Sequence, residues 1–124
     1  MGVSRWTTGV RPNPWISVSS FSNGWTSPVG AAYIIDGAGR VWFRGNIANA
    51  TMNGTTIGAS ITAFTVPAGY RPAQRMVFLC GDYAAQNNYF RVDMSPTGIA
   101  NVVVASTTPF SSINLTPIHY LAEL

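Results

Sequence analysis

The chain has 124 residues, enough for one domain with a substantial core, and its 47% of hydrophobic residues is typical of globular proteins rather than disordered or membrane chains. Only 9% of the residues are charged, lysine is absent, and a net charge of +3 comes from seven scattered arginines, without the basic run of a polyanion-binding arm. No apolar run approaches the roughly 18 residues needed to span a bilayer.

The first residues, MGVSRWTTGV, lack the apolar segment of a secretory signal, so the chain is either mature or a piece of a longer protein. Residues 1–14 contain turn residues and two prolines and are predicted to connect an upstream segment to a domain at residues 15–124. Beyond them helical periodicity is nearly absent, and short β-type runs alternate with Gly, Pro, Asn and Ser. Eight strands are predicted: Trp15–Phe21, Ala31–Ile35, Arg40–Ile47, Ile61–Val66, Met76–Cys80, Tyr89–Met94, Ile99–Ala105 and Ile113–Leu121. The pattern predicts an all-β, antiparallel β-sandwich or barrel.

The connections between the strands carry turn signals. DGAG at Asp36–Gly39 and SPTG at Ser95–Gly98 are predicted to form hairpins. Residues 49–60, NATMNGTTIGAS, are polar and contain glycine, which favours a long exposed loop. The last run, PIHYLAEL at residues 117–124, fits a short helical turn or a final strand equally well.

The third predicted strand carries a tryptophan between two arginines. Side chains alternate along a strand, so Val41 and Phe43 face the core while Arg40, Trp42 and Arg44 face away from it. The arginines could shield the tryptophan and gain about 0.5–1 kcal/mol from cation–π contact. Alternatively, Trp42 meets a partner subunit, because Trp and Arg are enriched at interfaces. The low charge of the chain favours the partner.

Two other predicted strands are apolar on both faces. In one strand, Val77 and Leu79 lie on one face and Phe78 and Cys80 on the other. In the second strand, Val103 lies on the face opposite to that of two further valines. One face of a small antiparallel sandwich normally meets water. These strands therefore either curl through the centre or present a subunit interface. The abundance of Ser, Thr and Asn (11, 12 and 9 residues) in place of charge agrees with a surface covered by neighbouring subunits.

Few residues are available for catalysis or metal binding. The carboxylates are Asp36, Asp82, Asp93 and Glu123. Their spacing suggests no pair across a sugar-sized cleft: Asp36 is expected to bind backbone amides in its turn, and Asp93 to pair with Arg91. His119 and Cys80, the one histidine and the one cysteine, are too few for a metal site, and a buried hydrophobic role is expected for Cys80. With no nucleophile elbow and no dinucleotide fingerprint, we predict no catalytic residue, metal or cofactor.

The segment GDYAAQNNYF at residues 81–90 groups polar and aromatic side chains on one predicted loop between two strands. They are Asp82, Tyr83, Gln86, Asn87 and Asn88. Aromatic rings stack on sugar rings and amide or carboxylate groups bind their hydroxyls, so this loop is a candidate ligand site. The alternative is a solvated hairpin tip.

One segment resembles a known signature. FTVPAGYRPAQRMVFLC, residues 64–80, is similar to the F-T-L-P-A-G-Y-R-P motif of C-terminal domains of bacteriophage tail fibres, minor tail proteins and related receptor-binding tips. Further similar elements follow the same order: FSNGWT (21–26), AAYIIDGAGRVWFRGNI (31–47), YFRVDMSPTGIANVVV (89–104) and SINLTPIHYLA (112–122). The resemblance covers about residues 15–124.

The resemblance implies a β-sandwich knob, homotrimeric, at the tip of a virion's tail fibre or baseplate. Such a knob attaches the particle to bacterial cell-wall or capsular saccharide without catalysis, and residues 1–14 would join it to an upstream fibre or baseplate protein. No nucleic-acid partner and no membrane insertion are expected. We assign Arg40, Trp42, Arg44 and His119 to the subunit interface, with clefts between subunits as the first place for a ligand.

Three other interpretations remain open. The domain could be a purely structural trimerisation or decoration module of a virion, which would bury the same strands. It could be the carbohydrate-binding module of an enzyme, which would normally be monomeric. A single-stranded nucleic-acid binder could use Arg40, Trp42 and Arg44 as a stacking strip, but the dispersed arginines argue against it.

Overall fold

The computed structural model describes residues 15–49, 58–82, 89–104 and 112–123. The predicted connector at residues 1–14 and most of the predicted loop at residues 49–60 lie outside this part of the chain. The described residues form ten strands and no helix. The strands are β1 (Ile16–Ser17), β2 (Ala32–Ile35), β3 (Arg40–Arg44), β4 (Asn46–Ile47), β5 (Ser60–Thr65), β6 (Met76–Gly81), β7 (Tyr89–Met94), β8 (Ile99–Val104), β9 (Ile113–Asn114) and β10 (His119–Leu121).

The strands form two four-stranded sheets that pack face to face. The first sheet has the order β1-β2-β3-β10, the second has the order β5-β8-β7-β6, and β4 pairs with β9. All of these pairs are antiparallel. Aromatic rings meet between the sheets: Phe43 lies 5.9 Å from Phe64, and Tyr120 lies 6.4 Å from Phe78, between ring centroids. The predicted all-β antiparallel sandwich is confirmed.

Both predicted hairpins are confirmed. The Gly39 amide donates to the Asp36 carbonyl (3.1 Å) between β2 and β3, and the Gly98 amide donates to the Ser95 carbonyl (2.9 Å) between β7 and β8. The sequence of residues 117–124 fitted a helical turn or a strand equally well. In the structure this segment contains β10. Its middle residue, Tyr120, is buried between two exposed neighbours, as expected for a half-buried strand.

The described residues form ten strands where about eight are predicted, because two predicted strands are each divided. Gly45 separates β3 from β4 with a φ of 84°, and a Cβ at this position would overlap the Val29 carbonyl oxygen. Only glycine fits this bend. The last predicted strand is divided by a turn in which the Ile118 amide donates to the Leu115 carbonyl (3.0 Å), with Pro117 between them.

The first predicted strand, Trp15–Phe21, is shortened to β1 because the chain changes sheets. The Val18 amide still donates to the Ala31 carbonyl (2.9 Å) beside the first sheet. Two residues later, the Ser20 carbonyl accepts a hydrogen bond from the Thr65 amide (3.1 Å) of the second sheet. This crossing connects the two layers at one edge of the sandwich.

The core lies between the two sheets and follows the predicted alternation. Val41 and Phe43 are buried on β3, and Phe90 and Val92 are buried on β7. Burial of each such side chain contributes about 1.5–3 kcal/mol. Cys80 is fully buried, and burial raises the pKa of its thiol to about 12, so it behaves as a small hydrophobic residue.

The segment that carries the resemblance holds the last strand in place. The Tyr120 hydroxyl donates to the Tyr70 carbonyl (2.7 Å), and the Glu123 amide donates to the Arg71 carbonyl (2.7 Å). The Glu123 carboxylate accepts a hydrogen bond from the Gly69 amide (3.2 Å). Residues 69–71 thus fasten β10 and the residues after it against the sandwich. In the part of the chain that the structure describes, no helix is long and apolar enough to cross a membrane.

Candidate functional site

The outer face of the first sheet carries two stacked rings, which we call the Trp42–His119 platform. Trp42 on β3 and His119 on β10 are directly opposite each other in the antiparallel register. Their rings are nearly parallel, with 5.0 Å between centroids and 20° between planes. Trp42 is 40% exposed and His119 is also exposed. The pair therefore offers an aromatic surface to solvent.

The Asp36 carboxylate holds the tryptophan from the adjacent hairpin turn. Its Oδ2 accepts a hydrogen bond from Nε1 of Trp42 (2.9 Å), and its Oδ1 accepts from the amides of Ala38 (2.9 Å) and Arg40 (3.0 Å). The hydrogen bond from Trp42, followed by that from the Arg40 amide, lowers the pKa of this carboxyl below its ordinary value. A carboxylate has about four acceptor sites, so one remains for a ligand.

The Arg40 side chain holds the histidine. Nη1 of Arg40 lies 3.0 Å from Nδ1 of His119. A guanidinium can only donate, so Nδ1 is the acceptor in this contact. One carboxylate and one guanidinium thus fix the two rings. All four side chains come from β3, β10 and the turn before β3.

One of the two explanations for Trp42 was that Arg40 and Arg44 shield its ring by cation–π contact. In the structure both arginines contact other rings. The guanidinium carbon of Arg44 lies 4.3 Å from the centroid of the Trp15 ring, and Arg40 contacts His119. The physical reason is the register, because His119 occupies the position opposite Trp42 and stacks on it. The cation–π contact of Arg44 is therefore made with Trp15, beside β1 on the far side of β2, and not with Trp42.

The predicted site residues divide into a group that the structure brings together and a group that it does not test. Arg40, Trp42 and His119 form one cluster, with Arg44 further along the same strand. Their assignment to a subunit interface remains a prediction. Of the candidate ligand loop, only Asp82 is described, in a β-bridge with Ile113. The other four members, Tyr83, Gln86, Asn87 and Asn88, lie outside the described residues.

A second polar cluster lies on the outer face of the second sheet. The predicted pair between Arg91 and Asp93 is present, with Nε 2.9 Å from Oδ1, and Arg75, which sequence reasoning missed, binds Oδ2 of the same carboxylate. Burial raises the pKa of Asp93, but the hydrogen bonds from Arg75 and Arg91 outweigh it and leave the pKa below its ordinary value. This cluster lies beside Val77 and Leu79, which are 51% and 63% exposed.

Three of the described carboxylates act as acceptors for structural donors. Asp36 binds an indole and two amides, Asp93 binds two arginines, and Glu123 binds an amide. Among residues 15–49, 58–82, 89–104 and 112–123, no three His, Cys, Asp or Glu side chains are grouped so that they could hold a metal ion. The platform, by contrast, combines an aromatic face with polar groups at its edge, an arrangement suited to binding.

No protein family model and no curated protein matches this chain. Solved structures that are similar to it include two phage proteins. The receptor-binding protein gp15 of Listeria phage PSA has a TM-score of 0.63 and 22% identity; the alignment covers 89% of this chain and 65% of gp15, just under two thirds of its length. The head domain of the lactococcal phage bIL170 has a TM-score of 0.63 and 17% identity, with 89% of this chain and 98% of the head domain covered.

These similarities define the class of fold. The chain has the fold of phage receptor-binding head domains, which is the fold that the resemblance of its motifs implies. At identities of 22% and 17% the likeness establishes the fold, and the role of this chain is argued below from its own residues.

Proposed function

We propose that this chain is the non-enzymatic receptor-binding head of a phage or phage-like tail, at the tip of a tail fibre or baseplate. It attaches the particle to a bacterial surface by binding a saccharide. The observation that carries this proposal is the exposed Trp42–His119 platform, framed by Asp36 and Arg40, on a fold shared with two phage receptor-binding proteins.

The platform suits a saccharide because a sugar ring has an apolar face and a polar rim. The apolar face can stack on Trp42, whose ring is held at one angle by the Asp36 hydrogen bond. The hydroxyls can reach the remaining acceptor site of Asp36 and the donors of Arg40 at the edge of the rings. A few fixed polar groups beside an apolar surface are the usual composition of a small-ligand site.

We further propose that three copies of the chain associate. Exposed apolar side chains occur on both sheets: Leu79 (63%) and Val77 (51%) on the second, and Leu121 (57%) on the first. A ring of identical subunits uses two different patches on each subunit, one for each neighbour. The Val77–Leu79 face would pack on the neighbour's first sheet near Leu121, which pairs with Arg40 in the register.

This association agrees with the assignment of Arg40, Trp42, Arg44 and His119 to the subunit boundary. The platform would then line a cleft between two subunits. Three weak sites on one particle tip bind a repetitive surface far more tightly than one, because later contacts are made within the same complex. Residues 1–14 would connect the trimer to the upstream fibre or baseplate protein, and the candidate loop at residues 82–88 would be a second region of receptor contact.

The test is binding of the fluorescently labelled chain to cells of a bacterial panel, followed by titration with N-acetylglucosamine, glucose, galactose and rhamnose. We expect Trp42→Ala to reduce binding by at least about tenfold, the usual loss when a central aromatic anchor is truncated. Trp15→Ala is the matched control, because it removes a tryptophan that lies just before β1 and outside the platform. Equal binding by wild type and a correctly folded Trp42→Ala variant would contradict the proposal.

A second candidate function, a structural trimerisation or decoration module, is favoured by the exposed Val77 and Leu79 alone. Particles that lack this domain distinguish the two functions. Loss of adsorption with normal assembly supports receptor binding, whereas loss of assembly supports the structural module. A carbohydrate-binding module of an enzyme would be monomeric, so light scattering that gives three times the 13.3 kDa chain mass would exclude it.

A further inference from the structure

A cleft lies at the edge where the chain crosses from the first sheet to the second. Its volume is about 280 Å³. Its lining comes from three segments, namely Ser19 and Ser20 after β1, Tyr33 on β2, and Thr65, Val66, Pro67 and Arg71 around the end of β5. The cleft shares no lining residue with the Trp42–His119 platform.

Tyr33 brings a buried hydroxyl to this cleft. The residue is only 5% exposed, and its ring is fixed by contacts with Phe43 (5.7 Å) and Tyr70 (5.1 Å) between centroids. Within the described residues its hydroxyl has no hydrogen-bond partner, whereas the Tyr120 hydroxyl donates to a carbonyl. Burial, and then the neighbouring Tyr70, raises the pKa of Tyr33, so the hydroxyl remains a donor.

The Tyr33 hydroxyl is not sealed inside the core. Among the described residues, the only fully enclosed side-chain nitrogen or oxygen without a partner is Nε1 of Trp25. The Tyr33 hydroxyl is therefore accessible from the cleft that the residue lines. A group that enters the cleft can therefore accept the hydrogen bond that this hydroxyl donates.

Arg71 brings a positive charge to the same cleft. Its Nε donates to the Val66 carbonyl (3.1 Å), which fixes the guanidinium on the chain's own backbone. Gly98 closes over this contact, and a Cβ there would lie 2.8 Å from Nε of Arg71. No described carboxylate lies within ion-pair distance of Arg71, in contrast to Arg75 and Arg91, which share Asp93. Its two terminal nitrogens remain available.

We infer that this cleft binds an oxyanion, the phosphate or carboxylate group of a small molecule or polymer. The guanidinium can bind two oxygens of such a group side by side. The hydroxyls of Tyr33 and of the three lining Ser and Thr residues supply further donors, and no carboxylate lines the cleft. Its volume lies just below the usual range of about 300–1,000 Å³ for drug-sized ligands, which suits one charged group with a short attachment.

The test is calorimetric titration of the full chain at constant ionic strength with inorganic phosphate, glycerol 3-phosphate, glucuronate and, as the neutral control, glycerol. We expect saturable millimolar binding of at least one anion and none of glycerol. Arg71→Gln should weaken binding by at least about tenfold, as expected for loss of a charge-assisted pair. Tyr33→Phe should weaken it by about threefold to tenfold, the value of one hydrogen bond.

Two control variants separate a site from general electrostatics and from damage to the fold. Arg75→Gln removes the same charge from a place outside the cleft, and Tyr120→Phe removes a buried hydroxyl that does not line it. Both should bind as wild type does. Because the Arg71 Nε contact is structural, Arg71→Gln also needs a thermal melt. Tyr33→Phe removes no described hydrogen bond and keeps the test decisive if Arg71→Gln unfolds.

Preference for phosphate would indicate a phosphorylated ligand, and preference for glucuronate an acidic sugar; either supports the inference. Absence of saturable anion binding at high millimolar concentrations overturns it. So does equal binding of glycerol, or loss of binding in Arg75→Gln to the same degree as in Arg71→Gln. Trp42→Ala should bind the anions normally, so failure here is distinguishable from failure of the proposed receptor function.

Discussion

The outer faces of the two sheets use their few charged groups in opposite ways. On the first sheet, Asp36 and Arg40 each bind an aromatic ring and fix the Trp42–His119 platform. On the second sheet, Arg75 and Arg91 both bind Asp93, and the apolar side chains beside them are held by no polar contact. The first face thus presents two ordered rings with polar groups at their edge, whereas the second presents exposed Val77 and Leu79 beside a cluster of ion pairs.

The difference follows from where the charges lie relative to the strands. Asp36 lies in a turn, so its two oxygens can bind both the turn amides and the indole of Trp42. Asp93 lies within β7 and faces the same side as Arg91, so its oxygens are taken by arginines. A chain with 9% charged residues therefore uses its few charges for a polar frame around one aromatic pair and for one ion-pair cluster, and leaves apolar side chains exposed on both sheets.

The largest effect is expected from a charge on the second face. Leu79→Asp places a carboxylate in the proposed subunit contact, and desolvation of this charge opposes association. Loss of a buried interface residue costs about 2–4 kcal/mol, enough to convert a trimer at micromolar concentration to monomers. Analytical ultracentrifugation measures this change directly.

Ser60→Asp is the matched control for that experiment, because it adds the same charge at an exposed polar position on the opposite edge strand of the same sheet. Ser60→Asp should leave the oligomeric mass unchanged. If Leu79→Asp stays trimeric, the Val77–Leu79 face is not the contact, and Leu121→Asp then tests the first sheet alone.

The next effect concerns the frame of the platform. Asp36→Ala removes the acceptor that holds Nε1 of Trp42, so the ring can rotate away from His119. We expect saccharide binding to fall about threefold to tenfold, the value of one lost hydrogen bond, with Trp42 still present. Tryptophan fluorescence anisotropy and the saccharide titration measure the two consequences separately.

Asp36→Asn is the informative companion variant, because an amide retains one acceptor oxygen and loses the charge. It should lie between wild type and Asp36→Ala in affinity. An Asp36→Ala variant that binds as tightly as wild type would mean that Trp42 needs no fixed orientation.

Much of the fold could be predicted because it depends on local patterns. Alternation separated Val41 and Phe43 from Trp42, and the turn residues at Asp36–Gly39 located a hairpin. The break at Gly45 was missed, because the requirement for glycine comes from the distant Val29 carbonyl and not from its own neighbours.

The candidate site could be predicted only in part for a related reason. Trp42 and Arg40 were singled out from their place on one strand. Their contacts with His119 depend on the register of strands separated by more than 70 residues, which no local pattern specifies. The Asp36 contact spans only six residues and could have been found by placing the turn and the strand together.

The smallest effect is the contribution of the second face to acid stability. The folded state lowers the pKa of Asp93, so its contribution is fully present above the unfolded value of about 3.9 and is lost as the pH falls through the folded value. The two arginines are half exposed, 61% and 46%, which limits each pair to about 1 kcal/mol or less. Urea denaturation at pH 7 and below pH 4 should therefore give a smaller loss on acidification for Asp93→Asn than for wild type.

Asp36→Asn, compared by the same denaturation experiment, separates the two faces. Its carboxyl also has a lowered pKa but lies on the surface, where water replaces lost hydrogen bonds. We therefore expect Asp93→Asn to remove more of the acid dependence than Asp36→Asn does. The reverse order would mean that the turn before β3, rather than the arginine cluster on β7, stabilises the sandwich against acid, and that the polar frame of the platform serves the fold as much as the ligand.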